Sequence, residues 1–216
     1  MEQVDVRDLN LPLEGLTEGC LAFLRGASRA TIVGEPGDVL CRAHFEGALP
    51  RVRLQDGEIA VDYRRHRAAF SFLRDWRQTT GHLALNAGIP WRIEFRHGVY
   101  ELRADLSGID LRSIEVRGGL SEGEIILPRP SGTVPITVRG GVNNIAIRRP
   151  AGVPARFAIR GGASRLAFDQ QHFGAIGGRT ELRSAGFGEA AGRYDIEVLG
   201  GASGLRIETA EGEERS

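Results

Sequence analysis

Val116-Arg117-Gly118-Gly119, Val138-Arg139-Gly140-Gly141 and Ile159-Arg160-Gly161-Gly162 repeat one four-residue phrase, with looser copies at Phe95-Arg96-His97-Gly98 and Val198-Leu199-Gly200-Gly201. The first four arginines of this frame, 96→117→139→160, are 21, 22 and 21 residues apart, and the last copy lies 39 further on, close to two periods. Upstream, Gly88-Ile89-Pro90-Trp91-Arg92-Ile93-Glu94-Phe95-Arg96 aligns without gaps to Gly152-Val153-Pro154-Ala155-Arg156-Phe157-Ala158-Ile159-Arg160, and Pro135-Ile136-Thr137-Val138-Arg139 fits the same frame. Downstream, the stretches 142–147, 163–168 and 202–207 form a second set of similar short segments. Each unit reads as strand, Gly-Gly turn, strand, then a turn marked by Pro or Gly such as Leu127-Pro128 or Arg149-Pro150.

Apolar residues alternate at period two in Ile93/Phe95, Ile114/Val116, Ile136/Val138, Phe157/Ile159 and Ile196/Val198, the pattern of a half-buried strand. A unit of about 21 residues cannot bury an apolar face alone, so neighbours must stack. The fold expected is all-β, a β-solenoid of short stacked strands. Gly pairs are expected to supply the positive φ of tight turns. Residues 1–86 read as a weaker version of the repeat, with a hairpin around Asp56-Gly57 and a basic-aromatic segment at 64–77; 87–208 is the regular rack. Within it, 169–193 is a Gly-rich excursion, read as a degenerate unit plus a long loop, and 209–216 reads as a frayed, disordered tail.

The bulk composition excludes several classes. Acidic and basic residues balance at 28 each, so no net field favours nucleic acid or an anionic membrane, and every basic residue is Arg. Thirty glycines and 6% aromatic residues in 216 fit a turn-rich β protein. Cys20 and Cys41 are too few for a disulfide scaffold and lack metal-ligand spacing. The N-terminal residues have no basic region followed by an apolar stretch, and no apolar run approaches the roughly 20 residues of a membrane span. The expectation is a reduced, cytoplasmic protein that requires no cofactor.

The run from Pro90-Trp91 through Asp105-Leu106-Ser107-Gly108, Leu127-Pro128-Arg129-Pro130-Ser131-Gly132, Arg149-Pro150-Ala151-Gly152-Val153-Pro154 and Arg193-Tyr194-Asp195-Ile196 resembles the bacterial toast-rack β-repeat proteins. These include adhesin-like domains of unknown function and the C-terminal domain of LiaF-type envelope-stress proteins. The resemblance covers about 85–208 closely and 10–65 loosely. It implies a β-solenoid-like rack used in envelope or regulatory contexts, without catalysis.

The sharpest candidate for partner binding is the row Arg96, Arg117, Arg139 and Arg160, which the frame places on one face of successive strands. Like charges in that arrangement cost up to about 1 kcal/mol per pair unless offset. Glu94 and Glu115 offset the first two in a solvated lattice, whereas Thr137 and Ala158 leave Arg139 and Arg160 less neutralised and open to an acidic protein. Segment 64–77 (RRHRAAFSFLRDWR) reads as an end cap, with contact to a membrane surface or single-stranded nucleic acid as the alternative. Gly186–Gly192 lacks the Lys-Ser/Thr of a phosphate loop and reads as a flexible loop. His97 replaces a turn glycine, the other histidines are scattered, and neither Asp105 nor Asp169 shows a partner for acid–base chemistry. The reading is a non-catalytic interaction or assembly scaffold, with end-to-end or edge stacking of copies possible at its open ends. Two alternatives stand beside it. One is an adhesin-like or regulatory envelope domain working with a membrane partner, and the other is a β-helix enzyme acting on polysaccharide.

Overall fold

The computed structural model describes residues 6–63 and 79–210. Among them the chain forms strands and turns and no helix. In chain order the strands are β1 (Val6–Pro12), β2 (Gly19–Phe23), β3 (Ala27–Glu35), β4 (Val39–Glu46), β5 (Arg51–Gln55), β6 (Glu58–Asp62) and β7 (Thr80–Asn86). Then come β8 (Pro90–Phe95), β9 (Val99–Asp105), β10 (Asp110–Val116), β11 (Leu120–Ile126), β12 (Thr133–Val138) and β13 (Val142–Arg149). The last six are β14 (Ala155–Ile159), β15 (Ala163–Phe168), β16 (Gln171–Ile176), β17 (Thr180–Arg183), β18 (Arg193–Val198) and β19 (Ala202–Thr209). Segment 64–77 and the tail from 211 lie outside the described residues.

Two sheets, of ten and nine strands, face each other across the core. Each unit contributes its strand before the Gly-Gly turn to the nine-stranded sheet and the strand after it to the ten-stranded sheet, so one unit is one coil. Coils pair in parallel, which brings equivalent residues side by side. Leu21, Ile93, Ile114, Ile136, Ile196 and Phe157 form one buried column across β2, β8, β10, β12, β18 and β14. Phe23, Phe95, Val116, Val138, Val198 and Ile159 form the next, and the rings of Phe23 and Phe95 stack at 5.1 Å. From the other sheet, Ile125, Ile147, Ile207 and Phe168 close the core. Each such side chain contributes about 1.5–3 kcal/mol by leaving water, which is how period-two alternation becomes stability.

The stacking order departs from the chain order at both ends. In the centre, the coils β8–β9, β10–β11 and β12–β13 follow one another. Toward the C-terminal end, the coil β18–β19 lies between β12–β13 and β14–β15. The 39-residue gap before the last copy holds one further coil, run in reverse, and a loop, rather than a second parallel unit. Residues 171–183 form β16 and β17, which pair antiparallel to β15 and β14 at the edges of the two sheets. At the N-terminal end, β6 and β7 pair in parallel with β2 and β3, while β5 and β4 lie antiparallel beyond them and β1 pairs with β4. The Asp56-Gly57 hairpin is present, with both residues at positive φ (48° and 77°).

The Gly-Gly pairs work differently from the expectation. None of them has positive φ. They are glycines because the corners of successive coils stack backbone on backbone. A Cβ on Gly161 would sit 2.6 Å from the carbonyl oxygen of Gly200, and one on Gly118, Gly140 or Gly200 would be closer still to the preceding corner in the stack. The second glycine of each pair has more room: a Cβ on Gly141 would lie 3.5 Å from Gly201 O, and one on Gly201 3.3 Å from Gly162 O. Positive φ appears instead in a bulge column of the ten-stranded sheet, at Glu122, Asn144, Gly204 and Arg165 on the adjacent strands β11, β13, β19 and β15.

Candidate interaction surface

Arg96, Arg117 and Arg139 each follow the last residue of a strand in the nine-stranded sheet, and their backbone N–H groups donate to Phe23, Phe95 and Val116 on the neighbouring coil. Arg160 donates likewise to Val198, and Leu199 to Val138. The row is therefore real but interrupted: its spatial order is Arg96, Arg117, Arg139, Leu199, Arg160.

Each arginine meets a carboxylate. Arg96 contacts Glu58 at 3.0 Å and Glu94 at 3.3 Å. Burial works to lower its pKa, but the charges of Glu58 and Glu94 and their hydrogen bonds outweigh that and raise it. Glu115 serves both Arg117 (3.4 Å) and Arg139 (3.1 Å), and Glu197 serves Arg160 at 3.0 Å. The acids absent at Thr137 and Ala158 are thus supplied by adjoining coils, so Arg139 and Arg160 are not left without a carboxylate. Glu115 is divided between two guanidiniums, however, while Arg96 takes two carboxylates, so the positive charge leans toward Arg117 and Arg139 within a balanced group of three arginines and three glutamates. Side-chain exposures of 54%, 55% and 59% at Arg117, Arg139 and Arg160, against 34% at Arg96, put these three in reach of a partner. Exposed pairs of this kind contribute about 0.2–1 kcal/mol each, so the lattice cancels like-charge repulsion more than it stabilises.

The same face continues to Arg156, whose guanidinium meets Asp195 at 2.6 Å and Glu181 at 3.0 Å. Donating these hydrogen bonds, first to Glu181 and then to Asp195, raises the pKa of Arg156, and accepting from Arg156 and Arg183 lowers that of Glu181.

Other singled-out residues take structural roles. His97 occupies the first-glycine place in its corner and donates Nδ1–H to the Leu24 carbonyl at 2.8 Å. Ser107 donates its N–H and Oγ–H to Asp105 Oδ1, closing a turn. The loop 186–192 is held rather than loose. Arg193 donates to the carbonyls of Phe187 and Ala190, both at 3.2 Å, and stacks 5.2 Å from the Phe187 ring centroid. Cys20 and Cys41 are buried free thiols, and burial pushes them up to about 11 and about 12. Among the described residues no group of three or more His, Cys, Asp or Glu is placed to hold a metal ion.

One site escaped the sequence reading. Asp169 does have partners: Arg149 Nη2 donates to its Oδ1, and Ser184 Oγ donates to its Oδ2 at 2.8 Å. Arg149 Nη2 also donates to Ser184 Oγ at 2.8 Å, and the Arg149 side chain is only 2% exposed. Because β13 and β15 flank β19, this contact fastens the two sides of the out-of-order coil. The available signal was Arg148-Arg149 itself: neighbours on a strand point to opposite faces, so one of the two had to turn inward.

Residues 49–148 match the family profile of the N-terminal domain of toast_rack, DUF2154. That span begins before the stretch 85–208 of closer resemblance and ends inside it. No curated protein matches the sequence. Among solved structures, a "putative cell adhesion protein" from Clostridium sporogenes superposes with a TM-score of 0.78 at 17% identity, covering 96% of this chain and all (100%) of that one. A "putative adhesin" from Bacteroides fragilis gives a TM-score of 0.40 at 11% identity over 97% of this chain and 98% of the other.

Proposed function

We propose that this chain, whose residues 49–148 match the toast-rack N-terminal domain profile, is a non-catalytic toast-rack interaction scaffold whose nine-stranded sheet receives an acidic protein partner at the arginine row. The observation that supports this most is the sharing of Glu115 between Arg117 and Arg139 on an exposed, rigid sheet face. A partner carboxylate there gives those two guanidiniums a second acceptor, in the bidentate geometry Arg favours. Such contacts act mainly through association rate and weaken as salt screens them.

The test is capture of partners from a native bacterial lysate with the parent, with Arg117→Gln/Arg139→Gln and with Arg96→Gln. Loss of a captured protein with the double variant at low salt, and its retention with Arg96→Gln, supports the reading. Equal capture by all three contradicts it.

A second reading, an adhesin-like domain presented at the envelope, is favoured by the fold shared with the Clostridium protein. The first reading places the protein in the cytoplasm and the second at the cell envelope, so fractionation of native cells separates them.

A further inference from the structure

Every arginine of the row meets a carboxylate, shared or not, yet among the described residues two arginines on the other sheet meet none. On the outer face of the ten-stranded sheet, β13, β19, β15 and β16 run side by side, an adjacency that exists because β18–β19 is stacked out of chain order. Across this face Ala146, Arg206, Ala167 and His172 stand in register. Beside Arg206 the small side chain of Ala167 floors an open trough of about 410 Å³, with Asn144, Arg165, His172, Phe173, Gly204 and Arg206 around it.

No carboxylate lines this trough. Glu208, two residues beyond Arg206 on the same strand, is taken by Arg148 at 3.1 Å. Among the described residues neither Arg165 nor Arg206 has an ion-pair partner. Arg165 is instead fixed by a hydrogen bond from its Nη2 to Ser203 Oγ at 3.0 Å, and it holds a positive φ of 51° that is uncommon for so large a residue. Its neighbours in the bulge column, Asn144 and Gly204, share that conformation (50° and 66°), and a side chain at Gly204 would collide with Asn144. Two guanidiniums without ion-pair partners and an imidazole therefore border one concavity, beside the Asn144 amide, which Glu122 holds at 2.8 Å, and the ring of Phe173 supplies an apolar wall.

We propose that this trough binds a phosphate monoester carried on an apolar body, with the guanidiniums of Arg206 and Arg165 gripping the phosphate and Phe173 contacting the body. Two fork-shaped donors match a dianionic tetrahedral group better than a lone carboxylate. The site is on the opposite sheet from the arginine row and does not depend on the scaffold proposal.

Calorimetric titration of the full chain with phenyl phosphate, inorganic phosphate and benzoate tests it. Phenyl phosphate is expected to bind with a dissociation constant below about 1 mM at low salt. Binding should weaken as ionic strength rises from about 0.05 to 0.5 M. Phenyl phosphate should bind more tightly than inorganic phosphate, because of the apolar wall, and more tightly than benzoate, because of the second negative charge. Arg206→Gln should lose at least about tenfold in affinity, as should Arg165→Gln, while Arg139→Gln on the other sheet binds like the parent. Unchanged melting temperatures confirm that the variants are folded. No saturable binding of phenyl phosphate, equal affinity in Arg206→Gln and the parent, or an equal loss in Arg139→Gln overturns the proposal. Benzoate binding as tightly as phenyl phosphate overturns the choice of phosphate.

Discussion

The three central coils, from β8 to β13, and the coils at the two ends are built from the same short strands, but they are ordered by different forces. In the centre each coil lies on the one before it in the chain, and a corner of three residues carries the backbone from one sheet to the other. At the C-terminal end a coil made last is seated between two made earlier, and at the N-terminal end β6 and β7 lie outside β2 and β3 although they follow them. Local pattern thus makes a coil, while its place in the stack depends on contacts that no local pattern encodes. Parallel strands in register present the same column of apolar residues whichever coil comes next. A stack of this kind is permissive about order and needs particular residues to settle it.

Glycine at the corners is where centre and end should part most clearly. Gly140 lies against Gly118 on one side and Gly200 on the other, whereas the Gly161 corner belongs to the outermost of these coils. Gly140→Val is expected to destabilise by at least about 3 kcal/mol, a fall in melting temperature of roughly 6–12 °C, because a side chain would meet backbone that cannot retreat. Gly161→Val should cost less, since its coil can shift outward with only β16 and β17 beyond it. Gly141→Ala should move the melting temperature by no more than about 4 °C. Equal melts for Gly140→Val and Gly141→Ala would remove the close-approach explanation.

Arg149 tests the C-terminal end alone. Arg149→Met keeps the volume of the side chain but leaves Asp169 to Ser184 and solvent. A cost of about 2–3 kcal/mol is expected, below the usual range for a broken buried pair because Asp169 is itself 30% exposed. Hydrogen exchange should locate the loss in β14 to β19 and spare β8 to β11. Uniform loss of protection along the chain would show that the ends and the centre unfold as one unit.

The smallest effect belongs to the N-terminal edge. His44 on β4 is bonded to Asp8 of β1 at 2.7 Å and to Glu46 at 3.1 Å, and these hydrogen bonds raise its pKa above 6.5. The pairing supports β1 fully below the ordinary histidine range and is lost as pH rises through the raised value. Protection of β1 amides should therefore fall modestly as pH rises above the ordinary histidine range, and this dependence should vanish in His44→Gln.

Much of the coil was legible in the residues themselves. Alternation at Ile136/Val138 or Phe157/Ile159 marks the buried face, the Arg-Gly-Gly phrase marks the corner, and Asp56-Gly57 marks a hairpin, because each depends on chemistry within a few residues. The order of coils was not legible, since Val138 is as well matched to Ile159 as to Val198, the residue it faces. The arginine row followed from the frame, but its charge balance did not: Glu115 and Glu197 reach across to neighbouring coils, and only their placement shows which arginine each one serves. The trough on the other sheet was invisible for the same reason, as its residues come from strands that only the inserted coil brings together.

Cross-linking decides the stacking order directly. Thr137 faces Glu197 in register on the adjacent strand, whereas Ala158 lies one strand beyond. Neighbouring strands are about 4.8 Å apart and next-nearest ones about twice that, while a disulfide needs Cα atoms within roughly 7 Å. Under mild oxidation, Thr137→Cys with Glu197→Cys is expected to form a bond within one chain, and Thr137→Cys with Ala158→Cys is not. A bond in the second pair and none in the first would mean that the coils stack in chain order, contradicting the inserted coil and the trough that depends on it.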